Sequence, residues 1–69
     1  MSISARNKLK GKITEIVMGD VMAEVTIRVG QNVIDAVITR RSVEELKLKK
    51  GDTVVAIIKA TEVMVSKEG

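Results

Sequence analysis

The sequence predicts an all-β barrel with one short helix between its third and fourth strands. Three observations carry that expectation: a run of strict two-residue apolar alternation, a composition rich in Val and Ile, and one helix-capping motif placed late in the chain. Branching at Cβ stiffens a side chain in a form that suits a pleated surface, so Val and Ile favour strands.

The first strand is expected from Leu9 to Val17, where Leu9, Gly11, Ile13 and Val17 share a parity that Glu15 breaks. Gly19-Asp20 interrupts, and glycine tolerates the positive φ of a two-residue hairpin loop. Val21, Ala23, Val25, Ile27 and Val29 then alternate with Met22, Glu24, Thr26 and Arg28, which reads as a half-buried strand. Gly30-Gln31-Asn32 is a second turn, and Val33 to Thr39 is a third strand partnered by the second.

Ser42-Val43-Glu44-Glu45 has the S-x-x-E form of a capping box, with Lys47, Lys49 and Lys50 toward the C-terminal end of the dipole and Gly51 as the stop. Asp52 to Ala60 is a fourth strand, apolar from Val54 to Ile58 and so expected to be covered on both faces. Val63-Met64-Val65 is read as a fifth, and Lys67-Glu68-Gly69 as a frayed tail. Five short strands with a helix after the third give the order of an OB-like Greek-key barrel; an SH3-like barrel is the nearest alternative.

Length and composition bound the rest. Sixty-nine residues allow one domain, 1–69, with a thin core. Such chains commonly need disulfides, a metal or oligomerisation, and the chain has no Cys and no His. Oligomerisation is the remaining device, and a hydrophobic share of 45% suits it. The net charge of +3 and pI of about 9.5 suit an anionic partner or an ordinary soluble protein equally. No apolar run is long enough to span a bilayer, and the N-terminus lacks a signal-peptide core; the expected location is the cytoplasm.

Catalytic chemistry is poorly supplied. Cys nucleophiles and Ser–His pairs are excluded by composition, and no Gly-rich phosphate loop occurs. Glu44 and Glu45 point different ways on a helix and read as a solvated face. Met18, Met22 and Met64 read as core filling rather than soft-metal ligands. The sequence does not read as an enzyme, nor does it call for a catalytic cofactor.

Three polar clusters remain. Ser4-Ala5-Arg6-Asn7 offers a guanidinium fork and a hydroxyl, suited to a tetrahedral oxyanion; its plainer reading is a solvated N-terminal arm. Thr39-Arg40-Arg41-Ser42 runs into a helix start, where unpaired N–H groups attract anions; its plainer reading is a cap. Lys59-Ala60-Thr61 ends the fourth strand, with Lys59 on the parity of Val55 and Ile57; a surface lysine is the plainer reading. Each signal is weak alone.

Taken together, Ser4-Ala5-Arg6-Asn7 with Leu9-Lys10-Gly11-Lys12-Ile13, the stretch Ile38 to Leu46, and Lys59-Ala60-Thr61-Glu62-Val63-Met64 resemble the molbindin family, the small molybdenum-pterin-binding proteins. The same module occurs as the TOBE domain of molybdate transporter ATPases and molybdate-responsive regulators. The resemblance spans nearly the whole chain. It implies an OB-like barrel, a homo-oligomer of hexameric form (a trimer of dimers), and molybdate or tungstate bound between subunits. Carried over by motif, the oxyanion site comprises Ser4, Arg6, Thr39, Ser42, Lys59 and the backbone N–H of Ala60. The resemblance also implies storage, buffering or homeostasis of molybdenum in the cell.

A dianion with four acceptor oxygens needs donors from several directions and about two positive charges, which Arg6 and Lys59 can supply. Two other readings compete. An OB-type nucleic-acid binder would present stacking aromatics, and the chain has none; nucleic acid is therefore not expected as a partner. A bare oligomerisation module would assemble and ignore oxyanions.

Overall fold

The computed structural model describes residues 5–68, with side chains described from Asn7 onward. Strands β1 (Ala5–Met18), β2 (Met22–Val29) and β3 (Asn32–Thr39) precede helix α1 (Arg40–Leu46); β4 (Thr53–Lys59) runs into a single 3₁₀ turn, η1 (Ala60–Glu62). The strands form one antiparallel sheet in the order β3-β2-β1-β4. The sheet curls into a half-barrel with an OB-like plan.

The long first strand organises the curl. Its N-terminal half, Ala5 to Lys12, pairs with β4, and its C-terminal half, Lys12 to Met18, pairs with β2. One strand therefore serves two neighbours, and the sheet bends where they change over. Gly11 sits at that bend: a Cβ there would lie 2.5 Å from the Arg28 carbonyl oxygen and 2.8 Å from methyls of Ile27 and Val29.

A register shift at Thr14, between Ile13 and Glu15, explains why apolar parity breaks in β1. A bulge adds one residue and reverses which face the rest of the strand presents. Ile13 is buried before it and Ile16 packs on the core after it, while Val17 is turned to the outer face. Val17 thus does not share the face of Leu9, Gly11 and Ile13, as simple alternation had it.

The alternation of β2 is realised from Ala23 onward: Ala23, Val25 and Ile27 are buried, with Ile13, Val43 and Ala56 completing the core, whereas Val21 falls in the preceding loop and is exposed. Ile34, Ile38, Leu48 and Val54 pack around it. The concave side keeps an open groove of about 470 Å³, lined among others by Ile34, Ile38, Leu48, Val54 and Ile58.

Several local expectations are corrected. The β1–β2 loop spans three residues, 19–21, and Gly19 does not have a positive φ. Glycine is required there because a Cβ would lie 2.7 Å from the Met22 carbonyl, to which the Gly19 N–H donates. The helix begins two residues before Ser42. Thr39 is its cap, and Ser42 lies in the first turn; the strand end and the cap are the same residue.

The helix stops at Leu46, not at Gly51. Lys47 takes the left-handed conformation (φ 54°), and the N–H groups of Lys47 and Leu48 donate to Glu44 and Val43. That is a Schellman-type end in which a lysine occupies the position glycine favours. The lysines fall beyond the last turn. Gly51 (φ 95°) belongs to the next turn, which the Asp52 carboxylate fastens by accepting from the Lys49 N–H.

Strand β4 is covered on one face only: Ala56 is buried, whereas Val55 and Ile57 are about half exposed, at 51% and 54%. The fifth strand is absent from the sheet. After Lys59 the η1 turn leads the chain off the edge, residues 63–68 are irregular, and Met64 and Val65 are both 93% exposed. With no strand laid between β3 and β4 among the described residues, the barrel stays half closed.

Candidate functional site

The site residues expected from sequence fall into two groups at opposite ends of β1. At its start, Ala5 pairs with Lys59, and the register shifts between Ala5 and Asn7, against the step from Lys59 to Ile58. Arg6 is the residue at that shift. Bulges commonly re-aim a side chain, and here the bulge sets the backbones of Arg6 and Lys59 side by side. The Asn7 amide reaches across and donates to the Ile58 carbonyl at 3.3 Å, tying the shifted strand to β4. The Lys59 side chain is exposed, and Ala60 opens the 3₁₀ turn, also exposed. The Arg6 side chain and all of Ser4 lie outside the described residues.

The second group sits where β1 ends. Met18 pairs with Ala23, and Met22 pairs with Thr39. The Thr39 hydroxyl accepts from the Ser42 N–H at 3.0 Å and lies 2.7 Å from the Ser42 hydroxyl. Two hydroxyls share one hydrogen bond, which uses one of their two protons. Whichever of the pair donates, the other keeps an O–H free to donate outward. The cap thus fastens the helix and still leaves one O–H uncommitted within the pair.

Around this pair the cations are already occupied. Arg40 donates from Nε to Glu44 at 3.2 Å and from Nη1 to the Gly19 carbonyl at 3.3 Å, and its own N–H donates to Val21. Arg41 faces Glu45 at 3.5 Å. These exposed i,i+4 pairs contribute little to stability, about 0.3–0.5 kcal/mol each. They do neutralise the helix start, so that the shallow cup formed by Asp20, Val21, Thr39, Arg40, Arg41 and Glu44 carries no large excess of charge.

The structure thus joins Arg6, Lys59 and Ala60 at one end, and Thr39 and Ser42 at the other. Thirteen steps along β1 from Ala5 to Met18, at about 3.3 Å each, put about 40 Å of strand path between them. The longest dimension of the molecule is 38 Å. Of the described site residues, Lys59 lies at one end and the Thr39 and Ser42 hydroxyls at the other. The Arg6–Lys59 apposition was not apparent in the sequence, because it depends on strand register; the only hint was a polar tetrapeptide at a strand entrance.

The described residues form an OB-like half-barrel of four strands and one short helix. Its family follows from comparison with known proteins. The TOBE domain model matches residues 3–65. Molybdenum-pterin-binding protein 1 of Clostridium pasteurianum is 48% identical over 66 residues, covering 94% of this chain and 97% of that protein.

A solved structure described as a molybdate binding protein from Sporomusa ovata superposes with a TM-score of 0.92 at 46% identity, covering 97% of this chain and 100% of that one. ModG, described as a cytoplasmic molybdate-binding protein and solved with molybdate bound, matches with a TM-score of 0.80 at 41% identity over 87% of this chain and 43% of its own. The chain belongs to the TOBE domain family, and within it to the molbindins. No helix among the described residues is long and apolar enough to cross a membrane.

Proposed function

We propose that this protein binds molybdate or tungstate in cages completed between subunits of a homo-oligomer, a hexamer built as a trimer of dimers, and that it catalyses no reaction. The role is cytoplasmic storage or buffering of molybdenum. The Clostridium and Sporomusa relatives carry names of molybdenum- and molybdate-binding proteins, which supports the choice of ligand.

One observation carries the intersubunit reading. Lys59 and Ala60 stand at the opposite end of β1 from Thr39 and Ser42, so a single protomer offers two half-cages. A neighbouring copy that lays its hydroxyl end against the cationic end supplies the rest. The cage then holds Ser4, Arg6, Lys59 and the Ala60 N–H of one protomer with Thr39 and Ser42 of the next. Charge-assisted bonds are worth about 1.5–3 kcal/mol each, so several reach micromolar affinity or better, about −8 kcal/mol, after ordering costs.

The distribution of apolar surface also favours assembly. Among the described residues six hydrophobic side chains are buried, while thirteen large ones are exposed, including Val33, Val37, Val55, Ile57, Met64 and Val65. That imbalance is unfavourable for an isolated small domain. The unpaired edges of β3 and β4, together with the free segment 63–65, give a second copy both ladder and apolar surface to cover.

Complementation tests the reading. Lys59→Ala and Ser42→Val chains, each prepared alone, are expected to bind molybdate poorly by calorimetry. Refolded together, mixed oligomers should regain a fraction of the sites, because some interfaces then join an intact Lys59 to an intact Ser42. Both variants binding normally, or a mixture as inactive as its components, overturns the intersubunit cage. Absence of heat with molybdate, tungstate and sulfate in the unaltered protein overturns the ligand.

A further inference from the structure

A second cationic cluster lies on the convex face of the sheet, away from both half-cages. Lys12 of β1 stands directly opposite Arg28 of β2, and on its other side opposite Thr53 of β4. Lys10 is two residues back on the same face. With Thr14 these residues line a shallow, open cleft of about 540 Å³.

The register is costly as it stands. Like charges directly opposite on antiparallel strands, with Cβ atoms about 5 Å apart, destabilise the pair. The ion pairs of the described residues join Arg40 to Glu44, Arg41 to Glu45 and Lys49 to Asp52, and none involves Lys10, Lys12 or Arg28. Among the described residues no carboxylate lines the cleft. Arg28 spends its Nε on the Gly30 carbonyl at 3.1 Å, which fixes the guanidinium at the cleft edge, and its terminal amines make no hydrogen bond or ion pair among the described residues.

We infer that this cleft binds a small polyphosphate group, held by Lys10, Lys12 and Arg28 with the Thr14 and Thr53 hydroxyls at its margin. Spacing and charge select that class. Lys10 to Lys12 spans about 7 Å along the strand and Lys12 to Arg28 about 5 Å across it, wider than one tetrahedral anion. Pyrophosphate carries about three negative charges near neutral pH, which the three cations match, and Arg offers a planar fork suited to phosphate oxygens.

A long polyanion fits less well. Past the bulge the same face turns acidic at Glu15, Glu24 and Asp35, and the chain has no aromatic residue on which bases could stack. The bound group relieves the repulsion between Lys12 and Arg28, so ligand binding and stability are coupled.

The test uses pyrophosphate on the full chain, by calorimetry and thermal unfolding, against sulfate at matched ionic strength. Pyrophosphate is expected to bind and to raise Tm beyond the sulfate control. Arg28→Gln and Lys12→Gln should each weaken binding about tenfold or more. In anion-free buffer both variants should unfold no earlier than the unaltered protein, since the opposed charges are gone. The Lys59→Ala chain, with its molybdate cage disabled, should keep pyrophosphate affinity.

Equal affinity in the unaltered and Arg28→Gln proteins overturns the assignment, as does loss of pyrophosphate binding in Lys59→Ala alone. Tighter binding of a single-stranded oligonucleotide than of pyrophosphate, abolished by the same variants, replaces the small ligand with nucleic acid.

Discussion

Gly11 passes so close beneath Arg28 that no side chain fits between them: a Cβ would sit 2.5 Å from the Arg28 carbonyl oxygen. The contact lies where β1 leaves β4 and takes up β2, so the curl of the half-barrel depends on a residue without a side chain. The obstructing atom is backbone and cannot rotate away. Gly11→Ala is therefore expected to cost at least about 1–3 kcal/mol, the usual range for overpacking. A urea midpoint unchanged from the unaltered protein would remove the bend from its place in the fold.

The backbones of Arg6 and Lys59 meet at the bulge that begins β1, and the Lys59 side chain is exposed. Arg6→Ala and Lys59→Ala should each weaken molybdate binding by about tenfold or more, while circular dichroism keeps its β signature. Retained affinity in both variants would dismantle the cationic half-cage.

Thr39 has two duties, capping α1 and presenting a hydroxyl with Ser42. Thr39→Ala should lower stability by about 1 kcal/mol through the lost cap, and should lower molybdate affinity as well. Thr39→Ser keeps both the acceptor and the O–H and should restore both properties. Restored stability without restored affinity would show that the cap is the residue's whole role.

Lys47 holds a left-handed backbone (φ 54°) that L side chains adopt at a cost of about 1–2 kcal/mol. Its side chain is exposed, and no salt bridge among the described residues involves it. Lys47→Gly should raise the unfolding free energy by about 1 kcal/mol, since the strain exceeds the added freedom of glycine in the unfolded chain. A lower midpoint in denaturant would place an unrecognised contact on that lysine.

Assembly can be checked directly. Sedimentation should give a mass well above the monomer. Placing a charge on the exposed apolar surface, Ile57→Asp, should reduce it, because a buried carboxylate without a partner is costly. Six copies would carry a formal 6 × 3 = +18, so molybdate should also raise Tm by binding the assembled form. A monomer that binds molybdate tightly would contradict a shared cage.

Much of the protomer was legible in advance because alternation and caps are local signals. The period of Ala23, Val25 and Ile27 names a buried face without reference to any partner strand. The helix after the third strand follows from the S-x-x-E pattern of Ser42 to Glu45, though its cap proved to be Thr39, because the last strand residue already offered a hydroxyl at the right spacing. The bulge at Thr14 was visible only as the anomaly of Glu15.

By itself, then, the sequence determined the β-rich class and the element order through the fourth strand, and it named candidate donors for an oxyanion, since each follows from side-chain chemistry and short-range spacing. Only tertiary structure decided which of them meet. Register set Arg6 beside Lys59 and Lys12 opposite Arg28, and the length of β1 carried Thr39 and Ser42 to the far end. Those relationships arise from hydrogen-bond pairing between distant segments, and a one-residue slip would change every one of them.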